Sequence, residues 1–184
     1  MPAGLRGKLL VATPTLREPT FARTVIALLA HGDEGALGVI INRPADAPLQ
    51  EVVPPVAELA SEPAVLFSGG PVEPQAAIAL GVAAGDVDET LVQPVQLPLV
   101  TVDLDGDPAL LAASLRQLRV FAGYAGWASG QLESEIEQGA WYVVDGLPLD
   151  PFDPAPARLW SAVLRRQPWP LSAVSTCPVD PTMN

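Results

Sequence analysis

The sequence predicts a single α+β domain, and three observations carry that prediction. Short β-branched and apolar runs outnumber stretches with helical spacing, and the two alternate irregularly rather than in the strict strand–helix order of a doubly wound sheet. Twenty-one prolines cut the chain into short elements. The 184 residues are 49% hydrophobic and only 17% charged, with a mean hydropathy of +0.29. That is enough apolar material for one core, and too apolar for a disordered chain.

The elements follow in order. KLLVA at 8–12 is a short strand ended by Pro14. TVIALLA at 24–30 and ALGVII at 36–41 are apolar on both faces and joined by the turn-forming HGDEG, so they predict a buried hairpin whose second strand stops at Pro44. Residues 49–60 suit a short helix interrupted by Pro54 and Pro55. AVLFSGGPVEPQAAIAL at 64–80 predicts strand, glycine turn and strand, and 81–97 predicts mostly loop. LVTVDLD at 99–105 is a strand. Asp107 and Pro108 then supply a helix N-cap and first position, with Leu111, Leu115 and Leu118 at helical spacing to about residue 117. RVFAGYAGW at 119–127 returns to strand. Ser129 can cap a helix through QLESEIEQ that Gly139 stops, with Leu132 and Ile136 inward and Glu133 and Glu137 on a solvated face. WYVVD at 141–145 is a strand, 155–166 a helix with Leu159, Trp160, Val163 and Leu164 inward, and 174–184 an extended tail of the one domain that spans 1–184.

Composition removes several function classes. The net charge is −11 and the pI about 4.3, while the ten cations are scattered at 6, 8, 17, 23, 43, 116, 119, 158, 165 and 166. Direct nucleic-acid contact draws on clustered cations that release counterions from phosphates, so this balance argues against it. Cys177 is the only cysteine, which leaves no internal disulfide. The N-terminus has no long apolar region of signal-peptide type, and no run approaches the roughly 20 apolar residues that span a bilayer. A soluble cytoplasmic protein without membrane contact is the expectation.

Catalytic motifs are equally sparse. One histidine and one cysteine cannot build a typical zinc site. DLDGDP at 103–108 starts like a calcium loop, but Gly106 falls one place early and the twelfth position is Ser114 rather than Glu. The serines of FSGGP and GWASGQ do not match a G-x-S-x-G elbow, and SGGP at 68–71 lacks the Lys-Ser or Lys-Thr of a phosphate loop. No metal or cofactor is expected.

HGDEGALGVIINRP, 31–44, holds the only histidine and an Asn-Arg-Pro. In a hairpin, His31 sits at the turn, and Arg43 emerges roughly 23 Å from it along the second strand. If 31 pairs with 35, Arg43 faces Arg23 and the two invite an anion. If 31 pairs with 36, Arg43 faces Thr24 and the arginines fall on opposite faces. The structural role is favoured, with Arg43 bonding backbone carbonyls or a carboxylate near the turn. In GYAGWASGQLESEI, 123–136, small residues beside aromatics point to close packing, with a shallow groove lined by Trp127, Ser129 and Gln131 as the alternative.

Taken together, GKLLVATP, FARTVIALLAHGDEGALGVIINRP, SGGPV, FAGYAGWASGQLESEIEQGAW and STCPVDPTMN resemble the YqgE/AlgH family of bacterial proteins, in matching order along nearly the whole chain. The resemblance implies an α+β domain with a mixed, mostly antiparallel split sheet of barrel-like curvature surrounded by helices. It implies no activity. The family's label of transcriptional regulator comes by association with alginate regulation, and its pattern residues have no agreed catalytic role. One departure is visible: many members carry Leu-His after the strand that follows the GGPV turn, where this chain has Ala79, Leu80 and Gly81.

The expected function is therefore non-enzymatic binding of a small ligand or a protein partner, with a regulatory role. The candidate surface joins Asn42, Arg43, Gly69, Gly70, Trp127, Gln131 and Glu133. The alternatives are an enzyme with Glu133 or His31 as general base, and a regulator that touches DNA directly.

Overall fold

The structure, a computed structural model, describes residues 4–179. Ten strands form one curled sheet, a half-barrel. Its path runs through β10 (Trp141–Asp145), β1 (Lys8–Ala12), β2 (Val25–Gly32), β3 (Gly35–Ile40), β9 (Leu115–Ala128), β6 (Val72–Ala83), β8 (Leu99–Val102) and β7 (Val92–Gln96), with β4 (Pro44–Pro48) and β5 (Val65–Ser68) branching from it. All pairings are antiparallel except β5 with β9.

Period-two alternation places both faces of the sheet. Leu9, Val11, Val25, Ala27 and Leu29 point to the inside of the curl, where α4 (Pro156–Arg165) covers them with Leu159, Trp160, Val163 and Leu164. Leu10, Ala12, Ile26 and Leu28 point to the other face, beneath Leu132 of α3 (Gln131–Glu137). A third cluster lies under α1 (Leu49–Val52), the 3-10 turn Pro54–Leu59 and α2 (Pro108–Ser114). The double-sided burial foreseen for the hairpin is thus a sheet between two helical layers. No helix among the described residues is long and apolar enough to cross a membrane.

The sheet splits at one point, and two sequence motifs mark it. One edge of β9 pairs first with β3, through residues 125–128, and then with β5, through Phe121 and Ala122. Where β3 departs and β5 arrives, Ile40 donates its N–H to Gly69 O, Ser68 donates to Arg43 O and Gly69 donates to Ala122 O, each at 2.8 Å. The backbone of Gly69 and Gly70 lies directly on β9. A Cβ on Gly70, which has φ +154°, would stand 2.2 Å from the Tyr124 carbonyl. The two glycines are there to let backbones touch.

Several sequence expectations are corrected. Residues 81–97 are not mostly loop: β6 continues through Ala83 against β9, and β7 forms a hairpin with β8. The helix after Asp107, whose carboxylate caps Ala109 N–H at 2.8 Å, ends at Ser114 because Leu115 and Leu118 are recruited into β9. The second hairpin strand ends at Ile40, and Pro44 instead begins β4. Gly130, at φ +74°, precedes α3 as its cap in place of Ser129, whose hydroxyl donates to Asp33 O at 2.6 Å. The tail 174–184 is not extended at its start, because the short helix α5 (Leu171–Val174) runs into it and a helical turn follows at Ser175; its last five positions lie outside the described residues.

Candidate functional site

The hairpin register combines both predicted alternatives. At the turn, His31 pairs with Ala36, but a bulge at Leu29 shifts the frame so that Leu28 faces Gly38 and Ile26 faces Ile40. The bulge rotates His31 onto the α3 face, since its partner Ala36 packs in that cluster. There its Nε2 lies 2.7 Å from Glu133 Oε1, while its Nδ1 accepts the Leu5 N–H at 3.2 Å. An Nδ1 that accepts carries no proton, so the neutral ring donates from Nε2 to the carboxylate. Glu133 is therefore not merely solvated. Its own backbone N–H, followed by the His31 bond, holds its carboxyl below the usual carboxylate range.

Next to this pair, Glu135 anchors a network that the sequence analysis missed. Its Oε2 accepts from the indole N–H of Trp127 at 3.0 Å and of Trp141 at 2.9 Å, and its Oε1 accepts from Gln131 Nε2 at 3.0 Å. Gln131 Oε1 in turn accepts from Ala128 N–H. Trp127 and Trp141 meet edge to face at 6.2 Å and are 7% and 4% exposed. Packing accounts for Trp127, whereas Gln131 is exposed, and shallow clefts beside them are lined by Ser129 and Glu133 with His31, and by Trp127 with residues 30–37. The spacing of Gln131 and Glu135, four apart on one helix and flanked by two tryptophans, was the signal available in the sequence.

The far end of the hairpin is built differently. Beyond Ile40 the strands part, and Asn42 substitutes for their pairing: Oδ1 accepts from Val25 N–H and Nδ2 donates to Arg23 O, both at 2.9 Å. Arg43 donates to the carbonyls of Thr20 at 2.6 Å, Pro19 at 3.0 Å and Ala22 at 2.9 Å. Burial lowers its pKa, and Glu18 opposes that shift. Arg23, at φ 61°, turns the other way. Its guanidinium sits 4.0 Å from the Trp160 ring centre and donates to the carbonyls of Cys177, at 2.7 Å, and Pro178. The two arginines form no pair.

Asn42 and Arg43 brace the loop 18–23, Arg23 ties that loop to the tail, and the space between is a cleft of about 390 Å³. Residues 13–17, Ala22, Arg23 and 177–179 line it. None of these is Asp, Glu or His, and among the described residues Arg17 makes no hydrogen bond or ion pair. The seven candidate residues thus fall into two places. Asn42, Arg43, Gly69 and Gly70 meet at the sheet split, while Trp127, Gln131 and Glu133 lie beside the hairpin turn, at the other end of β3.

Two further polar anchors escaped the sequence analysis. Arg119, 2% exposed, donates to the carbonyls of Ser61, Glu62, Pro151 and Asp153 and lies 4.2 Å from the Phe67 ring centre. Its burial brings its pKa down to about 10. Arg166 pairs bidentately with Asp150, so it does more than complement the α4 terminus.

These features define a class: a small α+β domain on a bridged, split sheet, with a side-chain network at one end of its central hairpin and a basic cleft at the other. The chain belongs to the AlgH-like family, whose model matches residues 9–172. It is similar to a UPF0301 protein of Streptomyces avermitilis, 47% identical over 186 residues covering 99% of this chain and 96% of that one. A UPF0301 protein of Mycobacterium tuberculosis is 46% identical over 181 residues, covering 97% and 90%. Among solved structures, the crystal structure of a Corynebacterium diphtheriae protein matches with a TM-score of 0.88 at 36% identity, covering 96% of this chain and 93% of that one. The solution structure of the AlgH protein from Pseudomonas aeruginosa matches with a TM-score of 0.70 at 29% identity, covering 97% and 96%.

Proposed function

We propose that this protein is a non-enzymatic binding protein of the cytoplasm with a regulatory role, and that it takes a small ligand or protein partner at the cleft braced by Asn42 and Arg43. The observation that carries this reading is the composition of the cleft: among the described residues its lining offers cations and apolar surface but no carboxylate or imidazole to move a proton. Asn42 and Arg43 act as positioning residues. Gly69 and Gly70 hold the split that sets where Arg43 emerges, and Trp127, Gln131 and Glu133 steady the opposite end of the hairpin.

His31 and Glu133 share a cleft of about 590 Å³ with Ser129, but two features weigh against the enzyme alternative. Both ring nitrogens of His31 are engaged. Glu133 is shifted down, away from the near-neutral pKa that suits a general base. A net charge of −11 supports regulation through a ligand or a protein rather than through DNA, and the free Cys177 suits a reducing compartment.

A thermal-shift screen against a metabolite and anion library, run on wild type and on Arg43→Ala, tests the reading. A ligand should raise the melting temperature of wild type but not of the variant. Steady turnover of any metabolite, lost in an Arg43→Ala protein that keeps its near-UV circular dichroism, would overturn it.

A further inference from the structure

We infer that the cleft takes a small amphipathic organic anion: a carboxylate or phosphate head held by Arg17 and Arg23, on an apolar body lying against Pro14, Leu16 and Ala22. This ligand class presupposes the binding role proposed above and adds what is bound.

Charge is the first reason. The chain has 21 acidic residues against ten basic ones, yet among the described residues the cleft lining holds two arginines and no acid. Glu18, next to Arg17 in the chain, turns its carboxylate back to the Thr20 N–H at 3.0 Å and is not part of the lining. Arg23 is fixed by backbone carbonyls and an indole ring. Carbonyls orient a guanidinium without cancelling its charge. Both bonds leave from Nη2, and among the described residues Nε and Nη1 have no acceptor, which leaves their N–H groups to meet a ligand. Arg17 is exposed and unpaired among the described residues, free to close on the same head. A rigid cation beside a mobile one gives a preorganised seat with an adjustable second contact.

The remaining polar atoms narrow the class. Thr13 Oγ1 donates to Gly139 O at 2.7 Å and therefore accepts from Thr15 Oγ1 at 2.9 Å, so the two hydroxyl protons are already committed. Side-chain recognition of the head is left to the guanidiniums, which suit planar or tetrahedral oxyanions. The rest of the lining is largely apolar, and about 390 Å³ lies in the lower part of the roughly 300–1,000 Å³ of small-molecule sites. That space suits a body of one or two rings.

The test is calorimetric titration of the full chain with naphthylacetate and naphthyl phosphate beside the neutral, nearly isosteric naphthylacetamide. Both anions should bind one per chain, about tenfold tighter than the amide. Arg17→Gln, at an exposed position with no hydrogen bond or ion pair to lose among the described residues, should weaken the anions about fivefold, and Arg17→Glu further, with the amide unchanged. Arg116→Gln, an exposed arginine outside the cleft, should leave all three unchanged and so controls for net charge. The proposal fails if the amide binds as tightly as the acids, if neither anion binds, or if Arg17→Gln and Arg116→Gln have equal effects. A neutral ligand found in the library screen and still dependent on Arg43 would remove this ligand class and leave the binding role standing. Turnover would remove the binding role itself.

Discussion

The two ends of the β2–β3 hairpin are equally rich in hydrogen bonds and opposite in charge. At the turn, carboxylates accept from neutral partners: Glu133 from the imidazole of His31, Glu135 from two indoles and an amide. At the far end, Arg43 and Arg23 donate to neutral backbone carbonyls. Satisfying a hydrogen bond and neutralising a charge are different things, and only Glu18, beside Arg43, offsets charge at either end. The hairpin is therefore polarised, with Asp33, Glu34, Glu133 and Glu135 around its turn and Arg17, Arg23 and Arg43, against Glu18 alone, at its open end. In a chain of net charge −11 the negative end matches its surroundings and the positive end is the exception. That is why the open end, rather than the more conspicuous histidine, is the place to look for a ligand.

The largest effect should come from breaking the turn end. Glu135→Ala removes the acceptor of two buried indole N–H groups and should cost about 3 kcal/mol in denaturant unfolding. Glu135→Gln, which keeps an acceptor but no charge, should retain more than half of that. Equal losses in the two variants would mean that the charge, and not the hydrogen bonding, holds this end together. Next comes the open end. Arg43→Ala should cost about 2 kcal/mol, seen as a melting temperature lower by roughly 4–8 °C. Arg43→Lys should recover less than half, because a point ammonium cannot reach three separated carbonyls. Hydrogen exchange should rise in the loop 18–23 and stay unchanged at the hairpin turn; spread of the effect to the turn would show that the two ends are one unit.

The smallest effect belongs to Glu133. Its folded-state pKa is lowered, so the fold favours the ionised carboxylate. The resulting stabilisation is complete above the unfolded value of about 4.3 and is lost as pH falls through the lower folded value. Because the group is half exposed, Glu133→Gln should differ from wild type by less than about 0.5 kcal/mol at neutral pH. The gap in melting temperature should close in acid. A gap that widened in acid would reverse the assignment of His31 as the neutral donor.

Local chemistry made much of the fold legible. KLLVA, the hairpin, the Asp107 cap and the apolar stripe of α4 are each set by a few neighbouring residues. What escaped was decided at a distance. Leu115 and Leu118 fit a helical stripe and a strand equally well, and pairing with β6 settled the choice. β7 was hidden by Pro94, which a sheet tolerates because β7 is the last strand on its side. The bulge at Leu29 left no mark in the pattern, since the residues around it are all apolar. The site divides the same way. Asn42 and Arg43 stood out as polar residues closing an apolar run. The partners of His31 and Arg23 lie 102 and 154 residues away in the chain, and only the fold brings them together.

β9 has a consequence for how the chain is made. It is the one strand that both halves of the sheet share: β3 and β5 need its first edge, and β6 needs its second. On a ribosome all three of those strands emerge before it does. The hairpins completed early wait with open edges until residues 115–128 arrive to join them, and β10 is added beside β1 later still. Everything made before residue 115 therefore stays an incomplete sheet, and the emergence of β9 is the step that joins its halves.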